Sequence, residues 1–323
     1  MPSPAPERML RRIEWTVIRR LDGLLQGDYR TLLRGFGLDL ADLREYQPWD
    51  DARHIDWNVT ARLQVPHVRQ FHEEREACAW FLVDLTGSMS FGSGARDKRA
   101  LAAQFVGAMA RLMVRHGNRV GAMLFGERVD AVIPPRGGRG QVLHLLARID
   151  AHQPGRSDAR SPGRADARRS APTGAGTDLA ELLRGAQRMV PRRSLLFVVS
   201  DFFSRPGWEA PMGQLARRHE VLAVRPVDPL EQALPELGLM TVEDAETGER
   251  LFVDADDPGF RARFAEAVQR REAGLRESLS HAGVDALELS TDADLVDSLM
   301  AFAHARARGA RARRLPGRAA RGR

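Results

Sequence analysis

Two short and almost wholly apolar runs, Ala77 to Val83 and Ser194 to Ser200, interrupt an otherwise mixed chain. Neither alternates in polarity, and both stop at turn-forming or acidic residues. That pattern predicts strands buried on both faces of a parallel sheet. Arg119 to Phe125 and Ala131 to Pro134 predict two more strands joined through Gly126-Glu127, Val221 to Val227 another, and Asp285 to Leu289 a short last one. Helical spacing fills the intervals. Lys98 to His116 carries Leu101, Phe105, Met109 and Leu112 on one stripe, and Gln141 to Ile149 forms a shorter helix. A helix opened by Thr177-Asp178 continues through Leu179, Leu182, Leu183 and Met189; Pro258 to His281 and Asp292 to Ala307 close the series. Leu239 to Asp254 predicts a hairpin turning at Glu246-Thr247-Gly248-Glu249. Strands alternating with helices in this way imply an α/β class: a doubly wound, mostly parallel sheet with helices on both faces, Rossmann-like in its winding.

This domain is expected over residues 77–303, interrupted at 151–176 by a Pro-, Gly-, Ser- and Arg-rich insertion without periodicity. Residues 1–76 form an accessory region. It starts with a helix from about Pro6 to Phe36, on which Leu10, Ile13, Val17, Ile18, Leu21 and Leu25 recur at helical spacing, and continues as an irregular segment. Residues 304–323 read as a disordered basic tail, with eight arginines and no acid from Ala305 on. Such a tail could serve nucleic acid or an anionic membrane surface, although it lacks aromatic residues to stack on bases. The whole chain has 323 residues, a formal charge of +6 and 43% apolar content. No stretch reaches the ~18 apolar residues of a membrane span, and the first residues lack a signal-peptide pattern, so a cytoplasmic protein is the expectation. Cys78 is the single cysteine, which excludes an intrachain disulfide.

The chemistry gathers where strands end. Asp84-Leu85-Thr86-Gly87-Ser88 follows the first apolar run, placing one carboxylate and two hydroxyls at alternate positions. Thr177 precedes a helix, and Asp201 closes the second apolar run. In an open α/β sheet, ligands bind outside the carboxyl ends of the strands. Oxygen donors with few carboxylates suit a hard divalent cation, Mg²⁺ or Mn²⁺. An Asp-x-Ser/Thr-x-Ser triplet, a later Thr before a helix and a later Asp at a strand end resemble the metal-ion-dependent adhesion site of von Willebrand factor A domains. The resemblance implies direct ligation by Thr86, Ser88 and Thr177, with Asp84 and Asp201 binding directly or through water. Thr86 stands where Ser is commoner and keeps the hydroxyl. A cation so held retains open positions that a partner's Asp or Glu carboxylate can occupy.

Before this domain lies a dense string from Leu43-Arg44-Glu45-Tyr46 through Trp49-Asp50-Asp51, Arg53 and Ile55-Asp56-Trp57 to Ala61-Arg62. Its aromatic residues interleave with opposite charges, which predicts a segment anchored by ion pairs. Together with the von Willebrand A-like domain, the string resembles the bacterial domain-of-unknown-function family fifty-eight over roughly Gly35 to Ala303; Trp49 replaces the family's usual Gly. That resemblance implies a non-enzymatic adaptor for MoxR-type AAA+ ATPases. The chain has no Gly-x-x-x-x-Gly-Lys-Ser/Thr loop, so ATP hydrolysis would belong to the partner. An alternative from another class is a haloacid dehalogenase-like phosphatase with Asp84 as nucleophile. Against it, Thr86 occupies the place of that family's second acid, and no lysine lies between Thr177 and Asp201.

Overall fold

The computed structural model describes residues 4–14, 17, 43–47, 55, 57, 60–61, 64–69, 78–152, 177–243 and 249–314. Helix α1 (Pro4–Ile13) and an antiparallel ribbon of β1 (Leu43–Glu45) and β2 (His67–Arg69) precede the main sheet. Of the rest of the expected first helix only Glu14 and the buried Val17 are described; the remainder lies outside the described residues, as do Trp49, Asp50, Asp51, Arg53 and Asp56 of the charged string. Tyr46 is held at its backbone, where its N–H donates to the Pro66 carbonyl at 2.8 Å, but Trp57 is 69% exposed.

The main domain alternates as its hydrophobic pattern requires. Strand β3 (Cys78–Asp84) leads through α2 (Lys98–Arg115) to β4 (Arg119–Phe125), which turns back into β5 (Val129–Arg136) and α3 (Arg139–Ala151). Beyond residues 153–176, which lie outside the described part, come α4 (Leu179–Met189), β6 (Leu195–Val199), α5 (Glu209–Arg218), β7 (Glu220–Val227) and the short α6 (Pro229–Gln232). A ribbon of β8 (Leu239–Glu243) and β9 (Arg250–Asp254) is followed by α7 (Pro258–Ala282), β10 (Asp285–Ser290) and α8 (Leu295–Arg314). The six-stranded sheet runs β10-β7-β6-β3-β4-β5, parallel except for the β4/β5 pair. Helix α8 carries regular structure to Arg314, past residue 304 where a disordered tail was expected. No helix among the described residues is long and apolar enough to cross a membrane.

Because β3 is covered on both sides, its side chains divide by parity between two cores. Ala79, Phe81 and Val83 face α2, α3, α8 and the Leu10–Ile13 face of α1, whereas Trp80 and Leu82 face α4 and α5. Phe81 stacks on Phe197 of β6 with centroids 5.0 Å apart, and Phe105 of α2 meets Phe197 edge-on at 5.7 Å. Helix α5 has no counterpart in the sequence reading. Pro211 and Gly213 blur its helical pattern, and the buried positions Pro211, Met212 and Leu215 define only a narrow stripe.

One topological fact positions the site. From β3 the chain crosses by α2 to β4 on one side, and from β6 it crosses by α5 to β7 on the other, while β3 and β6 are themselves neighbours. The winding therefore reverses between β3 and β6 and leaves a crevice at their carboxyl ends. Truncating the ring shared by both strands and α2 tests this framework: Phe197→Ala should lower unfolding free energy by about 3–5 kcal/mol in a urea titration without changing the m-value.

Candidate functional site

The register Val83↔Val199 sets Asp84 beside Ser200, so the last residue of β3 and the first residue past β6 meet across the crevice. Asp84 is fully buried. Its Oδ1 accepts from the Thr86 N–H at 3.1 Å and the Thr86 hydroxyl at 2.8 Å, and its Oδ2 accepts from the Ser200 hydroxyl at 2.7 Å. The Thr86 and Ser88 hydroxyls lie 3.3 Å apart. Asp84, Thr86 and Ser88 thus form one bonded cluster, with a tight turn over Gly87–Ser90.

Asp201 is 2% exposed, and its Oδ1 accepts from the Phe203 N–H at 3.0 Å. Between them Phe202 adopts a left-handed φ of 61°, an unfavourable conformation for a bulky residue. Its ring is buried against Trp208 at 5.2 Å, and its N–H donates to the Ser200 hydroxyl at 3.0 Å. Packing and hydrogen bonding hold the strained turn that presents Asp201. Thr177 is tied to the same loop: its carbonyl accepts from the Ser204 hydroxyl at 2.9 Å and the Arg205 N–H at 3.0 Å. Ser204 Oγ also accepts from the Leu179 N–H at 3.0 Å, fastening the first turn of α4 to the loop after β6.

A residue absent from the sequence-based set also lies here. Lys98, the first residue of α2, is fully buried, with its Nζ 2.6 Å from Asp201 Oδ2 and 2.6 Å from Glu231 Oε1 of α6. Its ammonium also lies 5.2 Å from the Phe203 ring centre. Lys98 stands outside the Thr177–Asp201 interval because α2 delivers it from elsewhere in the chain. Its signal was compositional: among 49 Lys and Arg residues, Lys98 is the sole lysine.

Charge is unevenly satisfied. Burial first, and then the like charge of Asp201, push the Asp84 carboxyl up from 3.8 to about 7, against the hydrogen bonds from Ser200 and Thr86. Lys98 serves Asp201 and Glu231, while the hydrogen-bond donors to Asp84 are neutral. Among the described residues no three His, Cys, Asp or Glu side chains converge as a metal-binding group, so an ion here would depend on hydroxyl oxygens. The donors present fit such an ion. They are hard oxygens; among the described residues Asp84 Oδ2 and both Asp201 oxygens accept one bond each and keep a lone pair, and the one ammonium is shared between Asp201 and Glu231, leaving Asp84 to neutral donors.

The family model described as "Protein of unknown function DUF58" matches residues 42–274. An uncharacterized protein of Mycobacterium tuberculosis is 36% identical over 309 residues, covering 95% of this chain and 92% of its own length. Among solved structures, an aerotolerance-related membrane protein from Bacteroides fragilis aligns with a TM-score of 0.46 and 12% identity over 72% of this chain and 99% of that one. The SpRpn10 VWA domain aligns with a TM-score of 0.36 and 12% identity over 69% of this chain and 93% of that one. The architecture of the present chain rests on its own strand order.

Asp84 yields a prediction for metal-free protein. Its folded-state value of about 7 lies above the ordinary 3.8, so between these pH values the folded state binds more protons than the unfolded one. Stability is therefore retained at the acid end of that window and lost as pH rises towards 7. Urea unfolding in chelator across this range should show the decline in wild type and a flatter profile in Asp84→Asn; parallel profiles would contradict it.

Proposed function

The chain belongs to the DUF58 family, and from that premise and its von Willebrand A-like winding we propose that it is a non-enzymatic, metal-dependent protein-interaction module. The observation carrying this reading is the cluster at the β3/β6 crevice: Asp84, Thr86 and Ser88 bonded together, with Asp84 buried and unneutralised beside Asp201. In this reading Thr86, Ser88 and Thr177 hold Mg²⁺ or Mn²⁺ through their hydroxyls, and Asp84 and Asp201 hold it directly or through water. A bound ion of this kind supplies uncompensated positive charge and exchangeable water positions, which suit a carboxylate from a partner.

The chain's own part is to keep these oxygens dry and fixed. Burial of Asp84 at the sheet end and the Thr86 and Ser200 hydroxyls orient its carboxylate, while the Phe202 turn orients Asp201. Hydrolysis would further require a positioned base or nucleophile. Asp84 as a phosphatase nucleophile would need a proton-transferring acid close by, and the side chain two residues on is Thr86, whose hydroxyl is committed to Asp84 itself. A binding function matches this geometry better than catalysis does.

The partner we propose is a MoxR-type AAA+ ATPase, or a client of such a machine, supplying an Asp or Glu side chain. The test is a pull-down of the purified ATPase by the full chain with Mg²⁺ or with chelator. Mg²⁺-dependent retention by wild type and its loss in Asp84→Ala, with circular dichroism unchanged, is the expected outcome. Equal retention under all four conditions would overturn the proposal.

A further inference from the structure

Lys98 has no role in the proposed carboxylate capture, yet its position is costly. A buried ammonium is tolerated only when opposite charges or hydrogen bonds replace its hydration. Here both Asp201 Oδ2 and Glu231 Oε1 stand 2.6 Å from Nζ, and the side-chain exposures of the three residues are 0%, 1% and 15%. The choice of lysine is informative in a chain that otherwise uses arginine for every basic residue except histidine. A guanidinium is a wide, planar fork, whereas an ammonium is a compact point charge that can sit between two carboxylates converging from different elements. The N-terminus of α2 is held independently, since Asp97 accepts from the Ala100 N–H at 2.6 Å. Capping therefore does not account for Lys98.

We propose that Lys98 is a positioning residue that competes with the divalent cation for Asp201 and thereby sets how tightly the site holds its ion. The inference rests on the metal-site reading above. Asp201 is the shared element: one face of its carboxylate is already neutralised by Lys98, and a cation near Asp84 and Thr86 meets both the repulsion of the ammonium and a partly satisfied ligand. Glu231 acts on the other side of the balance. By holding Lys98 from α6 at the same 2.6 Å it shares the ammonium's charge with Asp201, and its neighbour Asp228 fixes α6 through bonds from Ser93 at 2.6 Å and Thr291 at 2.7 Å. The site's affinity is therefore linked to the loop that carries α6.

Opposed variants separate this role from a structural one. Glu231→Gln leaves the ammonium to Asp201 and should weaken Mn²⁺ binding to the full chain several-fold, measured by titration calorimetry. Adding Lys98→Met removes the competitor together with the Glu231 charge, so the summed charge of the cluster equals that of wild type. The double variant should bind Mn²⁺ at least tenfold more tightly than wild type, with a correspondingly larger Mn²⁺-induced rise in melting temperature. If wild type binds Mn²⁺ and the double variant binds equally or less tightly, the competitive role is overturned while the metal site stands. If neither protein binds Mn²⁺ while both melt cooperatively, the metal reading fails and the role of Lys98 fails with it. Should the double variant not fold, Glu231→Gln alone decides, because unchanged or tighter Mn²⁺ binding would contradict the proposal.

Discussion

Two carboxylates at the ends of neighbouring parallel strands, Asp84 closing β3 and Asp201 after β6, are buried together at the point where the sheet reverses its winding. Their mutual repulsion is the constraint around which the surrounding structure is arranged. Taking such groups from water is expensive, and the cost is recovered only where hydrogen bonds and opposite charge surround them. Hydroxyls from Thr86 and Ser200 orient Asp84, a backbone amide and Lys98 hold Asp201, and the balance of negative charge remains. A divalent cation among hydroxyl donors would resolve that balance with the residues already in place.

The loops around the crevice are braced from the far side of the sheet. Arg96, just ahead of α2, donates to the Thr291 carbonyl at 2.6 Å and to the Ala293 carbonyl. Asp228 at the end of β7 gathers donors from Ser93, Leu230 and Thr291, which hold its carboxyl below the usual range despite burial. Further out, Arg225 of β7 grips Glu272 of α7 through two bonds of 2.6 and 2.5 Å. These ties run from β3's loop to β7, β10 and α7, so the crevice is fixed to the rigid sheet and is not left to one mobile loop.

Much of this could be read from sequence because burial writes itself plainly into parallel strands. Cys78–Val83 and Leu195–Val199 are continuous apolar runs, and the polar residues that follow each, Asp84 and Ser200-Asp201, are those the fold presents to the crevice. The triplet at Asp84 was legible for the same reason, since alternate positions on a turn point one way. Other features were hidden by the kind of information they need. Helix α5 is short, with Pro211 and Gly213 inside it, and owes its existence to packing on β7 and α4 more than to propensity. Lys98 reaches Asp201 across 103 positions of sequence, a contact that only the β3-α2-β4 crossover creates. Ser200 read as the end of a strand, and its bond to Asp84 follows from the β3/β6 register. Trp57 shows the opposite error, an aromatic residue that looked like an anchor and lies exposed.

The central claim is that oxygens from β3, from the turn after it, from Thr177 ahead of α4 and from the loop after β6 share one divalent ion. The most direct measurement is a crystal of the full chain soaked in Mn²⁺ and recorded at a wavelength where manganese scatters anomalously. The account predicts a single strong anomalous peak at the β3/β6 crevice, within coordination distance of the Thr86, Ser88 and Thr177 hydroxyls and within reach of Asp84 and Asp201 directly or through water. A well-ordered crevice with no peak, or with manganese bound only elsewhere on the chain, would contradict it.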